Sequence, residues 1–229
     1  MTNLTRKPID AMFAARIIIV ILMFVAGAML YGYLPDLIPT HWGFEGQPNQ
    51  WSPKMWGAWL IPGLSLLFLI LFPLLPRLDP KHENYEKFKK PWGIIQTALI
   101  AYFAYMYAVT MYVTFYPQYN AMVGRAVVFG MGILFVILGN VMGKVRQNYF
   151  VGLKTPWTLD DPEVWQKSQR FAGWMFVLAG LAFIVQAIIW FAILPVFIGL
   201  MAVIVVLPIA YSYLLSRKKR AVKIKEQGP

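Results

Sequence analysis

Six long apolar segments run through this sequence, and they restrict its possible folds more than any other feature. They lie at residues 14–34, 56–76, 92–115, 123–142, 172–191 and 193–215. Each is close to the ~20 residues that a helix needs to cross a ~30 Å hydrocarbon core. Only 14% of the residues are charged, whereas about a quarter are charged in soluble domains. The sequence therefore predicts an all-α integral membrane protein with six transmembrane helices.

The fifth and sixth segments are not separated by a polar loop. Together they form an apolar run from residue 171 to residue 215, and 45 residues are about twice the length of one span. Proline interrupts helices because it lacks a backbone N–H and its ring clashes with the preceding turn. We therefore predict a tight helical hairpin that breaks at Pro195.

Basic residues are gathered in four short segments, and this distribution predicts the orientation. The N-terminal segment, the loops after the second and fourth spans and the C-terminal tail contain 19 of the 21 Lys and Arg residues. Basic residues accumulate in cytoplasmic segments, so we expect both termini in the cytoplasm. An alternative remains open for the N-terminus, because Arg16 precedes an apolar core and the small residues 26–28, as in a cleaved secretory signal.

The net charge of +11 does not indicate a nucleic-acid-binding protein, because the basic residues lie between apolar runs and no DNA- or RNA-binding motif is present. The sequence contains no cysteine, which excludes disulfides and thiolate metal sites. The two histidines, His41 and His82, are predicted on opposite sides of the membrane and cannot share a metal. We therefore expect no metal, no cofactor and no direct contact with nucleic acid.

The external loop at residues 34–55 is rich in proline, glycine and aromatic residues. Its four prolines exclude a continuous helix, so we expect a compact cap on the outer membrane surface. The cytoplasmic loop at residues 143–171 has a different pattern. Asp161 is predicted to cap a short interfacial helix that begins at Pro162 and continues into the fifth span.

Both loops carry a family resemblance. The stretch NYFVGLKTPWTL at 148–159, followed by Val164, Trp165 and Arg170, resembles the signature of the Sdp immunity protein family. The outer stretch LPDLIPTHW at 34–42, with Gly46, resembles the domain of unknown function that precedes it in that family. Two domains are expected on this basis. Residues 1–91 would carry the first two spans and the outer loop, and residues 92–229 the four-span immunity region with the cytoplasmic loop and basic tail.

The resemblance implies a multi-pass plasma-membrane protein of a prokaryote that protects the cell from a secreted peptide toxin. It also implies a DNA-binding repressor held at the cytoplasmic face once toxin is bound. The residues expected to contact the toxin are Pro39, Thr40, His41, Trp42, Phe44, Glu45 and Trp51. The residues expected to dock a partner are Asn148, Gly152, Thr155, Pro156, Trp157, Thr158, Trp165 and Arg170.

Other interpretations stay open at this point. The polar residues of the cytoplasmic loop could cap helices and its tryptophans could anchor at the membrane surface, with no partner involved. A small transporter or a lipid-handling protein is the main alternative function, although no ionisable residue lies in the middle of a span. An enzyme using Asp36, His41 and Glu45 as acid–base groups is a more distant one.

Overall fold

The computed structural model describes residues 11–43 and 46–227, and the side chains of the last helix as far as residue 223. Six described helices are long and apolar enough to cross a membrane, which confirms the predicted all-α, six-span architecture. The spanning helices are α1 (Ala11–Leu30), α2 (Lys54–Leu71), α5 (Lys89–Phe115), α6 (Val123–Met142), α8 (Pro162–Ile189) and α9 (Ile193–Gln227). Three short helices lie between them: α3 (Leu75–Leu78), α4 (Asn84–Lys87) and α7 (Pro156–Asp160).

The turn between α8 and α9 lies before Pro195, so the predicted break at that proline was wrong. The chain reverses through Trp190 and Ala192, whose φ angles of 55° and 43° are left-handed. Pro195 lies in the first turn of α9, where the missing N–H would have had no helical partner. The guanidinium of Arg125 donates to the carbonyl of Ile188 at 2.7 Å and lies over the Trp190 ring, so it caps the end of α8.

The outer loop is a β-hairpin, which the sequence analysis did not predict. Strand β1 (Leu37–Trp42) pairs antiparallel with β2 (Pro48–Pro53), and the register is irregular on either side of His41. Ile38 is fully buried. A Cβ placed on Gly57 of α2 would lie 2.7 Å from the Cβ of Ile38, so the hairpin packs directly on that helix.

Glycines bring α6 and α8 into backbone contact. A Cβ on Gly132 would lie 2.7 Å from the carbonyl oxygen of Gly180, and one on Gly139 would lie 2.6 Å from that of Gly173. The pairing runs in opposite directions along the two helices, so they are antiparallel. Small residues permit such close approach of helices in membranes.

The remaining helices are arranged around this pair. Helix α5 packs against α1 and α2 on one side and α6 on the other, while α9 packs against α8 and α7. The boundary predicted between residues 91 and 92 therefore falls near the start of a helix that contacts both parts of the chain. An aromatic core at the inner end includes Phe72, Phe88, Trp92 and Trp165.

Candidate functional site

Three of the residues predicted to contact a ligand are accessible on the outer hairpin (residues 37–53). Thr40, His41 and Trp51 are exposed, and the Trp51 side chain is 53% accessible. Cross-strand hydrogen bonds order two of these side chains. His41 Nδ1 lies 2.6 Å from Asn49 Oδ1, and Thr40 Oγ1 lies 3.1 Å from Ser52 Oγ.

Other residues of the outer hairpin fix it to the protein. Pro39 is buried, and Trp42 Nε1 donates to Asn120 Oδ1 at 2.9 Å. Gly46 has a φ of +78°, and a Cβ there would lie 2.7 Å from the Cα of Ala121. Asn120 and Ala121 belong to the 3₁₀ segment Pro117–Met122 that leads into α6, so the hairpin joins α2 to the α5–α6 connection. The remaining two predicted contact residues, Phe44 and Glu45, lie outside the described part of the chain.

At the end of the bundle predicted to face the cytoplasm, the segment between α6 and α8 is organised by Asn148. We call residues 143–161 the motif loop. The Asn148 side chain is fully buried. Its Oδ1 accepts the backbone N–H groups of Phe150 and Val151 at 2.9 and 2.7 Å. Its Nδ2 donates to the carbonyls of Arg146 and Val151 at 2.8 and 3.0 Å. One amide thus satisfies four backbone groups of a turn with no regular secondary structure of its own.

A buried carboxylate joins the α2–α5 connection to the motif loop. Asp79 is 2% exposed. Its Oδ2 accepts the Tyr85 hydroxyl at 3.0 Å and the Tyr149 N–H at 2.8 Å, and its Oδ1 accepts the Lys81 N–H at 2.8 Å. Burial, followed by the hydrogen bond and the charge of Asp79, raises the pKa of Tyr85 well above its usual range. The phenol therefore stays protonated and keeps donating.

A second polar contact runs parallel to the first. Gln147 Nε2 donates to the carbonyls of Thr158 and Leu159 at 2.8 and 2.7 Å. Its Oε1 accepts the Lys81 ammonium group, and its backbone carbonyl accepts Asn84 Nδ2 at 2.8 Å. The contacts of Asp79 and Gln147 together fasten residues 79–85 to both ends of the motif loop.

Thr155 and Thr158 form a capping box around the short helix α7. The Thr155 N–H donates to Thr158 Oγ1 at 2.8 Å, and the Thr158 N–H donates to Thr155 Oγ1 at 3.3 Å. Just before α7, Gly152 has a φ of +111°, and a Cβ there would lie 2.8 Å from Gln169 Oε1. Gln169 is fully buried and pairs with both backbone groups of Leu153 at 3.0 Å. These residues therefore shape the loop.

Two tryptophans tie the motif loop to neighbouring helices. Trp165 is 1% exposed, and its Nε1 donates to the Val145 carbonyl at 2.9 Å. Trp157 Nε1 donates to Ser212 Oγ at 2.6 Å, and its ring meets Tyr213 edge-on at 5.4 Å between centroids. Through Trp157 the loop holds the inner part of α9.

The tail side of α9 also contacts the loop through charge. The Lys219 ammonium lies 2.7 Å from carboxylate oxygens of both Asp161 and Glu163. As predicted, Asp161 is the N-cap of α8 and accepts the N–H groups of Glu163 and Val164. Partial burial opposes ionisation of Asp161, but the hydrogen bonds from Lys219 and the backbone outweigh it and lower its pKa.

The predicted docking residues therefore divide into two groups. Five have buried or backbone-facing roles that shape the loop: Asn148, Gly152, Thr155, Thr158 and Trp165. The accessible ones are Pro156, Trp157 and Arg170, of which Trp157 is partly covered. Tyr149 and Phe150, which were not among the predicted residues, are 44% and 38% exposed in the same loop.

Sequence reasoning missed Asp79, Gln147 and Lys81 as organising residues of the inner face. Asp79 carries a local signal, because an Asp that precedes a proline and accepts the N–H two residues later is typical of a turn. Gln147 has no such signal, since its partners are set by the tertiary fold. Among residues 11–43 and 46–223, whose side chains the structure describes, no three His, Asp or Glu side chains converge on a possible metal site.

Comparison with known proteins gives matches to the region of the motif loop and to the region of the outer hairpin. Residues 144–212, which include most of the motif loop, match the SdpI/YfhL protein family. Residues 18–66, which include the outer hairpin, match a domain of unknown function, DUF1648. Immunity protein SdpI of Bacillus subtilis (strain 168) is 30% identical over 200 residues, which are 87% of this chain and 91% of that protein. No solved structure gives a significant match.

Proposed function

This chain belongs to the SdpI/YfhL protein family, and from that premise we propose that it protects its cell from a secreted peptide toxin recognised at the outer hairpin. It is a multi-pass plasma-membrane protein of a prokaryote and a relative of a membrane immunity protein. Its family is one of immunity proteins and not of enzymes. What we propose is recognition of a toxin, the residues that contact it and the signalling step that follows.

The observation that carries the proposal is that the outer hairpin is fixed to the protein and still leaves aromatic and polar side chains accessible. Trp42 and Ile38 fix the hairpin, while Trp51, His41 and Thr40 stay exposed. A fixed aromatic side chain supplies contact area to a peptide at a small cost in conformational entropy. An amphipathic peptide would place its apolar side on Trp51 and its polar groups near His41.

Polar contacts at both ends of the bundle join the segments that flank α2 to the segments that flank α6. These contacts offer a path by which toxin binding at the outer end changes the structure of the inner end. At the outer end, Trp42 is hydrogen-bonded to Asn120 before α6. At the inner end, Asp79 is hydrogen-bonded to the backbone of Tyr149 after α6. A toxin that binds one conformation of the outer contacts more tightly would raise the population of that conformation, including its arrangement of the inner contacts. Without such a difference in affinity, nothing is transmitted.

The partner at the inner face is proposed to be a DNA-binding repressor, held at the membrane while toxin is bound. Its docking surface would consist of the accessible side chains Tyr149, Phe150, Pro156 and Trp157. Aromatic side chains are among those most enriched at protein interfaces. The buried members of the motif loop would act by holding this surface in shape.

The immunity proposal is tested by expressing the full chain in cells sensitive to the killing-factor peptide. We expect survival well above that of cells carrying empty vector. Trp51→Ala should remove most of this protection. Phe191→Ala is the matched control, because Phe191 is a 72% exposed aromatic residue at the α8–α9 turn, outside the hairpin. Survival equal to empty vector, at normal membrane levels of the protein, would contradict the proposal.

Signalling is tested separately by capturing the detergent-solubilised chain with and without toxin. A regulator with DNA-binding activity should co-purify only after exposure to toxin. Phe150→Ser should abolish its capture and leave toxin resistance intact. Capture that is independent of toxin would contradict the switching step while leaving the immunity step untouched.

A further inference from the structure

A groove between α6 and α8 lies at the inner end of their glycine contact. Its volume is about 310 Å³. Its lining combines glycines, two cations and apolar groups: Gly139, Asn140, Gly143, Lys144, Arg170, Gly173, Trp174 and Val177. Backbone contact between glycines leaves no side chains to fill the space beside the crossing, which is why two tightly packed helices still enclose an indentation there.

The two cations of the groove have no partner within the described residues. Lys144 and Arg170 are exposed, and neither side chain is hydrogen-bonded or ion-paired to any described group. By contrast, two nearby lysines of α8 and α9 are paired, since Lys167 binds Glu163 and Lys219 binds both Asp161 and Glu163. No Asp or Glu lines the groove. The groove therefore carries two positive charges and lacks an anion.

Helix lengths place these cations at the boundary between hydrocarbon and headgroups. The 28 residues of α8 are about 42 Å long, which exceeds a ~30 Å hydrocarbon core by about 12 Å, or about eight residues. If the outer end of α8 lies at the outer boundary, the inner boundary falls near Arg170. Helix α6 ends at Met142, two residues before Lys144. A Cβ on Gly143 would lie 3.4 Å from the Cα of Arg170, so the two helices place their cations at one level.

We propose that this groove binds one anionic phospholipid. Its phosphate lies between Lys144 and Arg170, where each cation donates hydrogen bonds to phosphate oxygens. The amide of Asn140 is one helical turn deeper and exposed, at the level of the glycerol and ester groups. An acyl chain follows Val177 and the exposed ring of Trp174 outward along α8.

The lining favours a lipid over a soluble phosphate compound. Trp174 is 63% exposed on a membrane-spanning helix, so the apolar wall of the groove continues directly into the lipid phase. A soluble phosphate would use the two cations and leave this wall uncovered. A lipid covers both the charged mouth and the apolar wall, and it would seal the α6–α8 crossing below the motif loop.

The test measures lipid binding to the purified full chain in detergent. Native mass spectrometry is used to titrate phosphatidylglycerol and, separately, phosphatidylcholine. We expect the first phosphatidylglycerol to bind about tenfold more tightly than phosphatidylcholine. The double variant Lys144→Gln/Arg170→Gln should lose this preference. The double variant Lys89→Gln/Lys90→Gln, which removes two exposed inner-face cations outside the groove, should keep it.

A second variant tests the acyl part of the site without changing charge. Val177→Phe places a larger side chain on the groove wall and should weaken binding of both lipids. Thermal unfolding and size-exclusion elution identify any variant that is no longer folded. The proposal is overturned if wild-type protein shows no preference for phosphatidylglycerol. It is also overturned if the Lys89/Lys90 variant loses as much preference, or if soluble glycerol 3-phosphate displaces the lipid.

Discussion

Replacing Asn148 by alanine should destabilise the protein more than any other single truncation in the motif loop. The substitution removes four hydrogen bonds of 2.7 to 3.0 Å from a fully buried amide. Each is worth about 1 kcal/mol net, and a buried donor left without a partner costs about 1–3 kcal/mol. Because Phe150 is 38% exposed, water can reach part of the turn and reduce this cost. We therefore expect a loss of about 3 kcal/mol in the free energy of unfolding.

The assay is reversible chemical or thermal unfolding of the purified protein in detergent, with limited trypsin digestion as a local probe. A loss of about 3 kcal/mol corresponds to a fall of about 6–12 °C in Tm for a chain of this length. The motif loop contains Lys144, Arg146 and Lys154, so trypsin should cut it faster in the variant.

Asn140→Ala provides the matched control, because the Asn140 side chain is exposed and makes no hydrogen bond within the described residues. Its effect should stay within about 0.5 kcal/mol. If Asn148→Ala and Asn140→Ala lower stability by the same amount, then the hydrogen bonds of Asn148 do not hold the loop and the reasoning is refuted.

Three further predictions concern the helix crossing, the buried phenol and the last helix. Gly139→Ala should lower the free energy of unfolding by about 2 kcal/mol or more, because its Cβ would lie 2.6 Å from a backbone oxygen of α8. Gly63→Ala is the control, because its Cβ meets open space and the substitution should be neutral or stabilising in thermal unfolding. Tyr85, whose pKa is raised by burial, contributes stability that is complete below pH ~10 and is lost as pH rises toward the folded-state pKa. Tyr85→Phe should therefore weaken the decline in Tm above pH ~10, and an unchanged alkaline profile would count against this assignment. Trp157→Phe and Ser212→Ala should each lower the free energy of unfolding by about 1 kcal/mol. The double variant should lose less than the sum of the two single losses. Additive losses would show that their 2.6 Å hydrogen bond contributes nothing.

The number and order of the spans could be predicted because hydrocarbon selects long apolar runs independently of tertiary detail. Helix ends were less predictable. The second span was expected to reach residue 76 but α2 ends at Leu71, because Pro73 and Pro76 disfavour continuation of the helix. Trp92 begins the third predicted span, where an indole commonly faces the headgroups, yet it is 7% exposed and packs edge-on against Phe72 and Tyr85. Those partners come from other elements, and local sequence does not reveal them.

In the candidate sites too, local sequence revealed only those contacts that a residue makes within its own element. The N-cap at Asp161 could be predicted because a cap acts on its own helix. The outer hairpin could not, because its prolines and irregular register hide the alternation of a strand. The importance of Gln147 was also hidden, since its amide bridges Lys81 and Leu159, residues far apart in sequence.

The placement of α9 has a consequence for how the protein is made. Ribosomes deliver this helix after α8 has already entered the bilayer. The indole N–H of Trp157 finds its partner, Ser212, only when most of α9 has been synthesised, and Asp161 must wait longer for Lys219. A nascent chain, or one released before Lys219, would thus expose an unfinished motif loop. Such truncated products would be open to proteases.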